Sequence, residues 1–159
     1  MPRALTSLML AATLGASLAP VGSGAGPALT RVELTGGVPV RTIVSCVLVE
    51  GEQAVLTWHN SLFHLAVTET FVARAGGLEL SSVSFANPRG GEAPLVRAQD
   101  VDDLYHTGGA FRAEGLSRPL RHVVFRVGAI GDPTFDLCGE RVRFLEEVGF
   151  GGAVTLDVR

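Results

Sequence analysis

The chain has 159 residues, of which 18% are charged, with a formal net charge of -3 and a pI near 5.8. All 13 of its Lys/Arg positions are arginine, scattered singly along the sequence. Nucleic-acid binding and adhesion to anionic lipid both draw on clustered cations, and this composition disfavours both.

In chain order, residues 1–25 read as a secretory signal peptide. Arg3 precedes a Leu/Ala-rich stretch from Leu5 to Ala19, and Ser23 and Ala25 supply the small residues for a cut after Ala25. The apolar run falls short of the roughly 20 residues that a membrane span needs. Pro20, Gly22, Gly24, Gly26 and Pro27 then break a helix instead of extending one. An uncleaved anchor helix is the alternative. Cleavage leaves about 134 residues with no transmembrane segment, a usual size for one domain. The implied location is periplasmic or otherwise extracytoplasmic. Ile43-Val44-Ser45-Cys46 looks like the run before a lipidated cysteine, but Pro39 and Arg41 stand where the apolar region belongs, so it reads as a strand.

From there short β-branched and apolar runs recur, separated by Gly, Asn, Asp and Pro. Strands are expected over Ile43–Val49, Ala54–Trp58 and Ala66–Ala73, with Glu50-Gly51-Glu52 as a turn. Along Ala66–Ala73, the side chains of Val67, Glu69 and Phe71 share one face. Gly76-Gly77 suits a tight hairpin turn into Leu78–Phe85, where a phase change near Ser81-Ser82 suggests a bulge. Residues 86–109 lose the pattern, which is unusual unless the segment folds locally or has a function. Strands resume at Ala110–Ala113, Leu120–Val127, Pro133–Leu137, Arg141–Leu145 and Ala153–Val158, with a short helical turn around Phe144-Leu145-Glu146-Glu147. The expected architecture is all-β, an antiparallel β-sandwich or small open barrel, in a single domain over residues 26–159.

Two cysteines, Cys46 and Cys138, lie in apolar, strand-like contexts. A disulfide between them and a pair of buried free thiols are equally open readings. No Cys/His spacing matches a zinc or redox motif.

Polar residues concentrate around Trp58-His59-Asn60-Ser61 and Glu69. On a strand His59 and Ser61 share a face, opposite Trp58 and Asn60. A His, a Ser and a carboxylate invite a hydrolase reading. Yet the chain has no Gly-x-Ser-x-Gly elbow and no motif that would supply an oxyanion hole. The plainer reading has His59 and Ser61 bonding a loop backbone and Glu69 pairing with an arginine. Metal binding through His59, His64 and Glu69, or through Asp102, Asp103 and His106, matches no known ligand spacing. Gly90-Gly91-Glu92 reads as a turn, with Arg89 and Arg97 placed to grip a carboxylate if the backbone there meets an anion.

Trp58-His59-Asn60-Ser61, Glu69, Phe71, Gly77-Leu78, Phe85 and Gly90-Gly91 together resemble the bacterial family called domain of unknown function 1850. Arg126-Val127-Gly128, Phe135-Asp136-Leu137, Arg141-Val142 and Ala153-Val154-Thr155-Leu156 are similar to that family's closing strands. Asn60 stands between a His and a Ser that are adjacent in the family, and Gly90-Gly91-Glu92-Ala93 replaces its Gly-Ala-Gly turn. The resemblance implies a small exported protein, often encoded beside TAXI-type tripartite (TRAP) transporters, with no assigned reaction and no cofactor.

The expected function is therefore an exported accessory or binding domain, with TRAP transporter subunits or a small solute as partner. His59, Ser61, Glu69, Arg89 and Gly90 are expected to line its functional surface. An exported hydrolase using Ser61 and His59, and a purely structural envelope protein, are the alternatives.

Overall fold

The computed structural model describes residues 26–74 and 76–159; the expected signal segment, residues 1–25, lies outside them. In chain order the elements are β1 (Leu29–Gly36), β2 (Arg41–Val49), β3 (Gln53–Asn60), β4 (Leu65–Arg74) and β5 (Gly77–Phe85). A single 3-10 turn (Ala98–Asp100) leads into α1 (Val101–Thr107). Then follow β6 (Phe111–Leu120), β7 (His122–Arg126), β8 (Thr134–Leu137), β9 (Glu140–Arg143), α2 (Phe144–Val148) and β10 (Ala153–Val158). The strands form two antiparallel sheets, ordered β2-β1-β10-β7 and β6-β5-β4-β3-β8-β9. The protein is an all-β sandwich. Among the described residues no helix is long and apolar enough to cross a membrane.

Strand alternation generates the core. Val154, Leu156 and Val158 on β10 and Val32 and Leu34 on β1 point inward from the smaller sheet. They meet Ala54 and Leu56 of β3, Phe71 and Ala73 of β4, and Phe135 and Leu137 of β8. Phe135 sits edge-on to both Phe71 and Phe144, with ring centroids 6.0 and 6.5 Å away. A second cluster lies at the other end of the larger sheet, where Phe85 stacks on Phe111 at 4.6 Å. Its cover is α1, which contributes Val101, Leu104 and Tyr105 at helical spacing.

Several boundaries differ from the sequence expectation, each for a local reason. The irregular segment of residues 86–109 contains α1, whose single apolar turn is too short to show a helical period in sequence. The expected strand over Ala110–Ala113 continues to Leu120, because a register shift against β5 carries the chain past Gly115, where φ is +67°. Pro119 is tolerated there because β6 is an edge strand. The expected single strand over Leu120–Val127 is divided at Arg121, where the chain leaves the larger sheet and enters the smaller one as β7. The bulge expected near Ser81-Ser82 is present: Thr70 pairs with Ser82 and Phe71 with Leu80, so Ser81 is the extra residue. Its hydroxyl donates to the Thr70 carbonyl at 3.0 Å. β1, which no sequence expectation covered, lies at the centre of the smaller sheet between β2 and β10.

Cys46 and Cys138 are joined by a disulfide, with an S–S distance of 2.03 Å. Cys46 lies on β2, at the edge of the smaller sheet, and Cys138 in the turn between β8 and β9 of the larger one. The bridge therefore clamps one sheet to the other. Such bonds persist in oxidising compartments, and the clamp fits a protein that works outside the cytoplasm. The bonded residues are 92 apart in sequence, and a loop of that size constrains the unfolded chain by about 4–5 kcal/mol in the chain-entropy model. Cys46→Ser with Cys138→Ser should lower unfolding stability by about 3–5 kcal/mol in urea titrations, and reducing agent should do the same to the wild type.

Candidate binding site

The inward-facing row of β4 is Leu65, Val67, Glu69, Phe71 and Ala73, one acid in an otherwise apolar series. Directly across from Glu69 lie Leu56 on β3 and Val83 on β5, both buried. Trp58 occupies the next inward position of β3, and it packs against both apolar clusters. Glu69 and Trp58 thus stand at the seam where the cover given by the smaller sheet ends and the cover given by α1 begins.

At this seam a pocket of about 350 Å³ opens between the sheets. Leu56, Trp58 and Glu69 form its floor, Phe125 and Arg126 of β7 one wall, and Pro133 part of the rim. β7 is an edge strand. The Arg121 carbonyl accepts from the Val158 N–H and the Gly152 carbonyl from the Val127 N–H, which places the odd residues of β7 in its ladder with β10. By alternation Val124 and Arg126 turn their backbone groups toward the free edge, where both residues border the pocket. Most of the lining is apolar, with a few convergent polar groups, as in small-molecule sites generally.

The Tyr105 hydroxyl donates to Glu69 Oε1 at 2.6 Å. The Trp58 indole N–H adds a weaker polar contact to the same carboxylate. Burial pushes the Glu69 carboxyl above its ordinary pKa, further than these two donors pull it back. Burial, and next the neighbouring Glu69 charge, push the Tyr105 phenol upward in turn, so Tyr105 remains the donor of the pair. Among the described residues no ion pair includes Glu69, and the arginine partner expected for it is absent.

Of the five residues expected to share a surface, Glu69 faces inward, His59 faces outward, and Ser61, Arg89 and Gly90 lie in connections beyond the strand ends. His59 is exposed on the outer face of the larger sheet, opposite to Glu69. Ser61 lies in the turn of residues 61–64, beyond the end of β3. The Glu69 pairing partner, Leu56, is four residues back from Asn60 along that strand. Arg89 and Gly90 lie exposed in the loop after β5, where Gly90 adopts φ +79° and donates its N–H to the Asn87 carbonyl, as a turn requires. Among the described residues Ser61 and His59 share no side-chain hydrogen bond. The loop backbone is held instead by Asn60, whose Oδ1 accepts from the N–H groups of Leu62 and Phe63 at 2.9 and 3.0 Å. Of the two sets weighed as metal ligands, His59 and Glu69 are on opposite faces, while Asp102 pairs with Arg118 on the surface.

Two residues of the site were beyond reach of local sequence reading, one bonded to Glu69 and one lining the pocket. Tyr105 arrives from α1, 36 positions from Glu69, and Arg126 from a strand in the other sheet. Trp58 was legible, since it shares inward parity with Leu56 on β3. No family model, curated protein or solved structure matches this chain.

Two measurements follow from this geometry. Asn60→Ala removes the acceptor for two loop amides and should cost about 1–2 kcal/mol. His59→Ala and Ser61→Ala, both at exposed positions, should change stability by no more than about 0.5 kcal/mol, read from the same denaturation curves. Glu69→Gln tests the buried acid. Between the ordinary carboxyl pKa of 4.5 and the raised folded value, the folded state holds the extra proton, so wild-type stability falls as pH rises. The variant should therefore melt higher than wild type at pH 7–8, with the gap closing below about pH 4.5.

Proposed function

We propose that this protein is an exported binding domain that presents the pocket between its sheets to a small ligand and serves as an accessory to a TAXI-type tripartite (TRAP) solute transporter. The observation that carries the binding role is the pocket itself, a half-buried carboxylate and the sole tryptophan beneath an opening at a free strand edge. Export is supported by the disulfide between the sheets and by the signal-like composition of residues 1–25. The transporter link rests on the resemblance to the domain of unknown function 1850 family. A periplasmic position would place the pocket where solute is handed to the membrane subunits.

The test is to isolate the protein from its own envelope under mild conditions and weigh it by native mass spectrometry. A small-molecule mass excess should be present in wild type, lost on unfolding, and absent from Glu69→Ala. TRAP transporter subunits should be enriched in the same preparation. A bare protein whose Trp58 emission is also unmoved by the small-molecule fraction of the envelope extract would overturn the binding role.

A further inference from the structure

Glu69 is a carboxylate inside an apolar row with two neutral donors and no cation beside it. A buried charge without a partner is costly, and folded proteins ordinarily pair such a group or neutralise it. Here the missing partner has a place to enter, because Glu69 lines an open pocket instead of being sealed in the core. Trp58, the strongest cation–π acceptor among side chains, lines the same pocket. Leu56, Phe125 and Pro133 supply apolar surface for a hydrocarbon body.

We propose that this pocket binds the primary ammonium of a small organic amine or amino acid, with Glu69 as its counter-ion and Trp58 against its stem. The inference rests on the binding role above and adds the chemical class of the ligand. Tyr105 stays a donor to Oε1, and the two neutral donors leave the charge of the carboxylate to be balanced by the ligand. Arg126 lines the pocket from β7, is exposed, and forms no ion pair among the described residues. It suits the carboxylate of an amino acid, and a plain amine has no use for it.

Because Trp58 is the only tryptophan in the chain, its emission reports occupancy directly. Three probes share one body and differ in the head group: phenethylamine, 2-phenylethanol and 3-phenylpropionate, with L-phenylalanine as the zwitterion. Phenethylamine or L-phenylalanine should shift Trp58 emission saturably, with phenylethanol at least about tenfold weaker and phenylpropionate silent. Glu69→Gln should weaken ammonium binding by about tenfold or more, and Glu69→Asp, which keeps the charge, should fall between. Wild-type affinity should also drop as pH falls through the Glu69 pKa, since the ligand keeps its charge while the acid loses its own. The groups around that acid are Tyr105 and Trp58 in contact, Arg126 on the pocket wall, and the Asp102–Arg118 pair near Tyr105. Tighter binding of L-phenylalanine than of phenethylamine, lost in Arg126→Ala, would identify an amino acid as the source; equal affinity would identify a simple amine. Equal binding of all three head groups, or an unchanged Glu69→Gln, overturns the proposal. A response to the envelope small-molecule fraction without a response to any ammonium overturns the ligand class alone, and silence toward both overturns the binding role as well.

Discussion

The larger sheet has more apolar face than the smaller sheet covers, and the consequences of that mismatch run through the molecule. A sheet with one apolar face must cover it, and the smaller sheet covers only one end of β4, β5 and β6. The smaller sheet covers β3, β8, the end of β4 and the start of β5 at Leu78, where the Phe71–Phe135–Phe144 cluster lies. The start of β4, the end of β5 and the start of β6 are covered by α1 through Val101, Leu104 and Tyr105. Between these two covers lies a gap, and β7 borders it with an unpaired edge. The pocket is thus a result of how the sandwich closes.

The disulfide bears on the same constraint from the opposite side. It ties the β2 edge of the smaller sheet to the β8–β9 turn. A covalent clamp between sheets also limits how far they can slide over each other, which keeps the pocket walls in a set relation to its floor.

Glu69 is a place where chemistry departs from what packing alone would select. An apolar side chain at this position of β4 would continue the row from Val67 to Phe71. Instead the strand places a carboxylate there, supported by a phenol from α1 and an indole from β3. Polar groups in such a setting are tolerated when they are hydrogen-bonded, and the remaining cost of the charge is visible as a raised pKa. This is a stability cost borne at neutral pH, and the exposed His59 and Ser61 carry none of it.

The sequence by itself determined the strand-rich class, most strand positions, the hairpin of β4 and β5 (with its turn one residue earlier than Gly76-Gly77), the bulge at Ser81 and the inward phase of Glu69. All of these follow from turn residues and the two-residue strand period, which are local. Tertiary structure alone decided that His59 and Glu69 face opposite ways across one sheet, that the chain changes sheets at Arg121, and that Cys46 meets Cys138. It alone brought Tyr105 to Glu69 and Arg126 to the pocket. Period-two alternation says which side of a strand a residue occupies, but not which sheet that side will face. That choice depends on how two unequal apolar faces find cover, which is a property of the whole chain.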